Sequence, residues 1–113
     1  MTISTHVLDT VRGRPAPGLR IDLERRSDTA AWRHLGATTT DDDGRAPDLV
    51  DDGIVVVAGQ YRLTFDTGGW FAERGVSSFY PVVHVVFEIA DADQHHHVPL
   101  LLSPFGYSTY RGS

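Results

Sequence analysis

The chain contains no cysteine. Disulfides, thiolate metal centres and a thiol nucleophile are therefore excluded. Their absence fits a reducing compartment, and a cytoplasmic protein is the expectation. No apolar run approaches the roughly 20 residues that a membrane helix needs. Met1 to His6 offers no basic segment followed by an apolar stretch, so no secretory leader is expected. Basic charge is also scarce. The formal net charge is −5, acidic residues cluster at Asp41 to Asp43 and at Asp51-Asp52, and no basic face of the kind nucleic-acid binders carry is evident. Neither a nucleic acid nor a membrane is an expected partner. Two catalytic signatures are missing as well. There is no Gly-x-Ser-x-Gly elbow, and Thr67-Gly68-Gly69 lacks the lysine and the long helix of a phosphate cradle.

What remains is an ordinary globular composition. The 113 residues, 41% hydrophobic and 22% charged, fit a single domain spanning 1–113 with a core of modest margin. Strand-like alternation dominates. Leu19, Ile21 and Leu23 alternate with Arg20, Asp22 and Glu24; Tyr61, Leu63 and Phe65 alternate with Arg62 and Thr64. Val83, Val85, Phe87 and Ile89 alternate with His84, Val86 and Glu88. A period of two marks strands with one face on a core. Turn-forming residues separate them at Arg12 to Gly18, Asp41 to Gly44, Asp52-Gly53, Thr67 to Gly69 and Ala90 to Gln94. Seven or eight short strands at this spacing predict an all-β fold, a two-sheet antiparallel sandwich. One short helix is predicted at Trp70 to Arg74, between Gly69 and Gly75. Leu100 to Leu102 read as a buried strand, and Tyr107 to Arg111 as a second strand behind a Pro-Phe-Gly turn. Chain ends usually fray unless something ties them down. An apolar and aromatic run leading to Tyr110-Arg111-Gly112-Ser113 predicts a docked tail whose polar groups form part of a site.

The polar residues each admit a bland reading. His6, in Ile3-Ser4-Thr5-His6-Val7-Leu8-Asp9, shares a strand face with Ser4 and Leu8; taken alone it is a half-buried histidine with a hydrogen-bond partner. Arg45, taken alone, pairs with Asp41 to Asp43 at the surface. Ser103 and Ser108 are turn and strand residues, and Asp9 either orients a histidine or stabilises the turn beginning at Thr10. His95 and His97 share a face with Pro99 and Leu101, while His96 points the other way with Val98. Two histidines two apart on a strand can chelate zinc. Catalytic zinc usually takes a third protein ligand, and spacing does not bring His6 to the other two, so the metal signal is weak.

Together these segments resemble a known family. His6-Val7-Leu8-Asp9-Thr10 with Gly13-Arg14-Pro15-Ala16 resembles the first signature of the transthyretin-like 5-hydroxyisourate hydrolases. His97-Val98-Pro99-Leu100-Leu101-Leu102-Ser103-Pro104 through Tyr110-Arg111-Gly112-Ser113 resembles the second. Asp43-Gly44-Arg45, Gly59-Gln60-Tyr61 and Phe79-Tyr80-Pro81 fall between them in the expected order. Hormone-carrying transthyretins look similar up to the Tyr-Ser-Thr region but do not end in Tyr-Arg-Gly-Ser. One departure is His96, where the family usually shows Tyr in a His-Tyr-His run. The resemblance implies a transthyretin-like (prealbumin-like) sandwich, assembled as a homotetramer, a dimer of dimers, with sites in the channel between dimers. It implies hydrolytic opening of the six-membered ring of 5-hydroxyisourate to 2-oxo-4-hydroxy-4-carboxy-5-ureidoimidazoline, a step of urate degradation. No metal and no organic cofactor are implied. The implied catalytic residues are His6, Arg45, His97 and Ser113, and the implied substrate-binding residues are His6, Arg45, Tyr110 and Arg111. His95 and His96 lie outside that set, so replacing them is expected to change turnover little. The alternative is a non-catalytic carrier of a small ligand, which apolar replacements at these positions would favour.

Overall fold

A computed structural model describes residues 2–113. Its strands are β1 (Ile3–Asp9), β2 (Arg14–Pro15), β3 (Arg20–Arg26), β4 (Trp32–Thr39), β5 (Arg45–Ala46), β6 (Gly59–Phe65), β7 (Val83–Ile89), β8 (His96–Ser103) and β9 (Gly106–Thr109), with helix α1 (Thr67–Glu73) after β6. One sheet has the order β2-β1-β8-β9, with the short β5 also paired to β1; the other has the order β4-β3-β6-β7. The two-sheet sandwich expected from the alternation is therefore present. One pairing departs from an antiparallel pattern: β1 and β8 run parallel, joining Ile3 to His96 and Asp9 to Leu102.

The core lies between the sheets. Ile3, Val7, Leu100 and Leu102 of the first sheet meet Ile21, Leu23, Leu63 and Phe65 of the second, all at most 2% exposed. Burying such side chains yields roughly 1.5–3 kcal/mol each, which holds β1 and β8 in register. Alternation then turns Ser4, His6, Leu8, His97, Pro99 and Leu101 to the outer face of the sheet. His96 and Val98 turn inward and are buried, as the sequence pattern implies.

The helix begins three residues earlier than predicted. Gly68 and Gly69 read as a boundary, but both lie within the helix, where neighbours leave room only for glycine. A Cβ at Gly68 would stand 2.7 Å from the Pro81 carbonyl oxygen, and one at Gly69 would stand 2.6 Å from the Asp66 carboxylate. Asp66 caps the helix by accepting from the Gly69 N–H at 3.2 Å. The last strand is shorter than predicted. β9 stops at Thr109, and the chain returns at Gly112, whose N–H donates to the His97 carbonyl at 2.9 Å. The tail is thus tied to the edge of β8 rather than continuing a regular ladder.

Candidate active site

The outer face of β1 and β8 is where the chemistry-bearing side chains collect. Register places Ser4 beside His97 and His6 beside Pro99. On the other edge of β1, His6 is paired with Arg45. That pairing depends on Gly44. It adopts φ 73°, and a Cβ there would sit 2.4 Å from the Val7 carbonyl oxygen. Only glycine accepts both conditions without strain. Asp41 completes the turn, its carboxylate accepting from the N–H of Asp43 at 2.9 Å and of Arg45 at 3.0 Å.

The result is a recess of about 300 Å³ lined by Ser4, Thr5, Arg45, Pro47, His95, His97 and Ser113. Three of the residues expected from the sequence, Arg45, His97 and Ser113, share this wall. His6 stands next to it on β1, half-buried, its Nε2–H donating to the Asp43 carbonyl at 2.8 Å. That bond leaves Nδ1 as the ring's free nitrogen in the neutral form. Arg45 forms no ion pair with Asp41, Asp42 or Asp43 among the described residues, so the bland reading of a surface pair is set aside and its guanidinium is available to a ligand. Asp9 orients no histidine: it accepts from the N–H of Val11 and Arg12 at 3.0 and 3.1 Å and closes the turn after β1. Ser103 closes the β8–β9 turn by donating to the Gly106 carbonyl.

Tyr110 and Arg111 are not in that recess within one chain. They line a second one of about 260 Å³ with Val85, Phe87, His96 and Val98 at the open edge of the sandwich, where Arg111 donates to Gln94 Oε1 at 2.9 Å. The residue that facing and motif overlooked is His95. It lines the first recess, and its ring lies 6.4 Å from that of His97 at an interplanar angle of 18°. The His-x-His spacing was the available signal, but it pointed to a metal. Among the described residues no group of three His, Cys, Asp or Glu side chains converges at metal-binding geometry. His95 Nε2 and His97 Nδ1 instead both face Ser4 Oγ, at 2.9 and 2.7 Å.

Electrostatics favour a neutral His97. Partial burial holds its pKa below 6.5, and its neighbours His95, Arg45 and His6 push it the same way. An uncharged imidazole at neutral pH, with Nδ1 held and Nε2 free of any described partner, is a base ready to take a proton.

Residues 3–112 match the family model described as HIUase/Transthyretin. The chain belongs to the HIUase/Transthyretin family. Among its relatives is 5-hydroxyisourate hydrolase 2 of Rhizobium meliloti, 51% identical, with 98% of this chain and 95% of the relative covered. Among solved structures, 5-hydroxyisourate hydrolase of Klebsiella pneumoniae superposes with a TM-score of 0.86 at 38% identity, covering all of both chains. Sea bream transthyretin in complex with thyroxine superposes with a TM-score of 0.91 at 29% identity, covering 99% of this chain and 95% of that one. A relative named as a hydrolase and one in complex with thyroxine thus share this backbone, and the side chains in the recess have to separate them.

His96, where the resemblance implies Tyr, carries a local cost. It is 5% exposed and its Nδ1 has no hydrogen-bond partner among the described residues. Burial, followed by the charge of Arg111, lowers its pKa. A buried unpaired polar atom costs about 1–3 kcal/mol. His96→Phe is therefore expected to raise stability at pH 7 by about 1 kcal/mol, because the ring shape is kept and the orphan atom removed. The sign with pH follows from linkage. A histidine with a depressed folded pKa adds no protonation penalty above 6.5, where both states are neutral, but weakens the fold further as pH falls from 6.5 through the folded value. Wild type should lose more stability than His96→Phe between pH 7 and pH 5. Thermal melts at the two pH values check this; equal losses would show that His96 is adequately solvated.

Proposed function

We propose that this chain hydrolyses 5-hydroxyisourate, opening its six-membered ring. The observation that carries the reading is the meeting of Arg45, His97 and Ser113 in one polar recess, on a chain 51% identical to a hydrolase of that name. A carrier reading has no comparable support, because this wall presents a guanidinium, two imidazoles and hydroxyls rather than an apolar slot.

The chemistry follows from the side chains. The substrate is a small, planar, oxygen-rich heterocycle, and Arg45 offers a planar fork of donors to such an edge. Water transfers a proton to His97 Nε2 as its oxygen attacks a ring carbonyl carbon. Negative charge develops on the carbonyl oxygen, where Arg45 stabilises it. Collapse breaks the carbon–nitrogen bond, and the ring nitrogen leaves with a proton delivered by a histidine, His97 in return or His6 beside it. Ser113 orients substrate or water from the tail.

Tyr110 and Arg111 enter this reading through assembly. β7 and β9 are both edge strands that flank the second recess. Val86, Tyr107 and Tyr110 are 56%, 42% and 57% exposed there. Exposed apolar edges of this kind are templates for pairing with another chain. A homotetramer whose site is completed by a neighbouring subunit would bring Tyr110 and Arg111 to the substrate. No helix among the described residues is long and apolar enough to cross a membrane, and the compartment we propose is the cytoplasm.

The test is a coupled assay in which fresh urate oxidase product is supplied and the 5-hydroxyisourate absorbance followed. Decay faster than the spontaneous rate is expected; decay at the spontaneous rate would overturn the reading. Activity is also expected to survive dialysis against a strong chelator. A loss restored only by zinc would bring back the metal reading of His95 and His97.

A further inference from the structure

His97 is an unusual base in one respect. Among the described residues no carboxylate touches its ring. In the Ser-His-Asp arrangement a buried carboxylate on the inner nitrogen stabilises the imidazolium that forms. Here the charged and titratable groups facing His97 are His6 on β1, Arg45 on β5 and His95 ahead of β8, all of which oppose an added positive charge. The segment after β9 brings Gly112 and Ser113 against this wall. A proton accepted at Nε2 therefore needs somewhere to go.

The hydrogen bonds on the inner side of the ring supply a route. Ser4 Oγ lies 2.7 Å from His97 Nδ1 and 2.9 Å from His95 Nε2. His95 Nδ1 in turn bonds Thr2 Oγ1 at the exposed end of the chain of contacts. A hydroxyl has one proton, so Ser4 donates to one imidazole and accepts from the other. We infer that Ser4 and His95 form a proton relay that discharges His97 to solvent during turnover and recharges it for the leaving nitrogen. The inference rests on the reading of His97 as the acid–base group.

The proton balance closes without any added reactant. As His97 Nε2 takes a proton from water, its Nδ1 proton passes to Ser4 Oγ and the Ser4 proton passes to His95 Nε2. His95 then releases its Nδ1 proton to Thr2 Oγ1, and the threonine hydroxyl gives its own to solvent. The reverse shift returns a proton to His97 Nδ1 and frees the Nε2 proton for the leaving nitrogen. No electrons change hands, and every atom involved is within hydrogen-bond reach of the next. Ser4 and His95 never touch the substrate carbon in this scheme; they are positioning residues that act through His97.

Ser4→Val and Ser4→Thr separate the relay from packing, since the two side chains have the same shape and differ in the hydroxyl. Ser4→Val is expected to lower kcat about 10- to 100-fold, at most the lower end of the 10²–10⁴-fold that acid–base groups contribute, with KM within about twofold. Ser4→Thr is expected to stay within about threefold of wild type. In mixtures of light and heavy water, wild-type kcat should vary non-linearly with deuterium fraction, as several protons in flight require, and Ser4→Val should vary linearly. His95→Gln, at an exposed position where folding is not at risk, should lose about tenfold, in place of the small change the family resemblance implies, and recover in added imidazole. Equal impairment of Ser4→Val and Ser4→Thr, or a Ser4→Val enzyme with wild-type kcat, would overturn the relay. If His97→Asn is inactive while Ser4→Val is normal, the relay alone falls; if His97→Asn keeps full turnover, the site reading falls with it.

Discussion

His97→Asn is expected to lower kcat for 5-hydroxyisourate by about 10²–10⁴-fold, the range a positioned acid–base group supplies, with the sandwich intact. Asparagine keeps polarity and roughly the volume but has no basic nitrogen. The ring of His97 is half-buried on the outer face of β8, and the core beneath it is formed by His96, Val98 and Leu100 instead, so folding should hardly register the change. The wild-type pH profile should carry the complementary signature. Burial, and after it the neighbours His95, Arg45 and His6, depress the His97 pKa. The active neutral form therefore predominates at pH 7 and above, and activity should fall as pH drops through a value below 6.5. An acid limb centred above 6.5, or near-normal turnover in folded His97→Asn, would remove His97 from the role of base.

Removing Arg111-Gly112-Ser113 should reduce hydrolysis to the spontaneous rate while the sandwich survives. None of the three belongs to the buried hydrophobic core. They do hold the site. Gly112 donates to the His97 carbonyl at 2.9 Å, and it packs so closely that a Cβ would lie 2.5 Å from His97 Cδ2. Ser113 lines the recess itself. Gly112→Ala asks the same question with a single methyl. Ring and methyl cannot both occupy that space, so His97 must move, and a displacement near 1 Å can cost about 10²-fold in rate. Turnover and light scattering on both variants check the prediction. A fully active truncation would show that the tail is not part of the site, and a fully active wild-type monomer would show that no neighbouring subunit completes it.

Much of this was legible in the amino-acid order because period-two alternation is a local property. Ile21, Leu23, Leu63, Phe65, Val83 and Val85 announce their facing without reference to the rest of the chain. So do His97 and His96, whose opposite orientations follow from the pleat alone. Where neighbours override local preference, the sequence misled or was silent. Gly68 and Gly69 look like helix breakers, yet both lie in α1 behind the Asp66 cap, where Pro81 and Asp66 leave no room for a Cβ. β4 shows no clean alternation because its pairing with β3 shifts register between Leu23 and Glu24, leaving Leu35 buried beside a buried Gly36.

The site itself divides the same way. Residue types and their order determined by themselves that histidines, an arginine and a polar tail were available, because side-chain chemistry is written one position at a time. Which of them meet was decided by the tertiary structure. A parallel pairing between strands 93 residues apart sets Ser4 beside His97, and a two-residue strand after Gly44 sets Arg45 beside His6. The physical reason is that burial of Ile3, Val7, Leu100 and Leu102 selects one register out of many, and that choice, made on the inner face, aligns the polar residues on the outer one. It also carried His95 into the recess and left Tyr110 and Arg111 at the open edge, distinctions that depend on long-range packing and leave no trace in spacing.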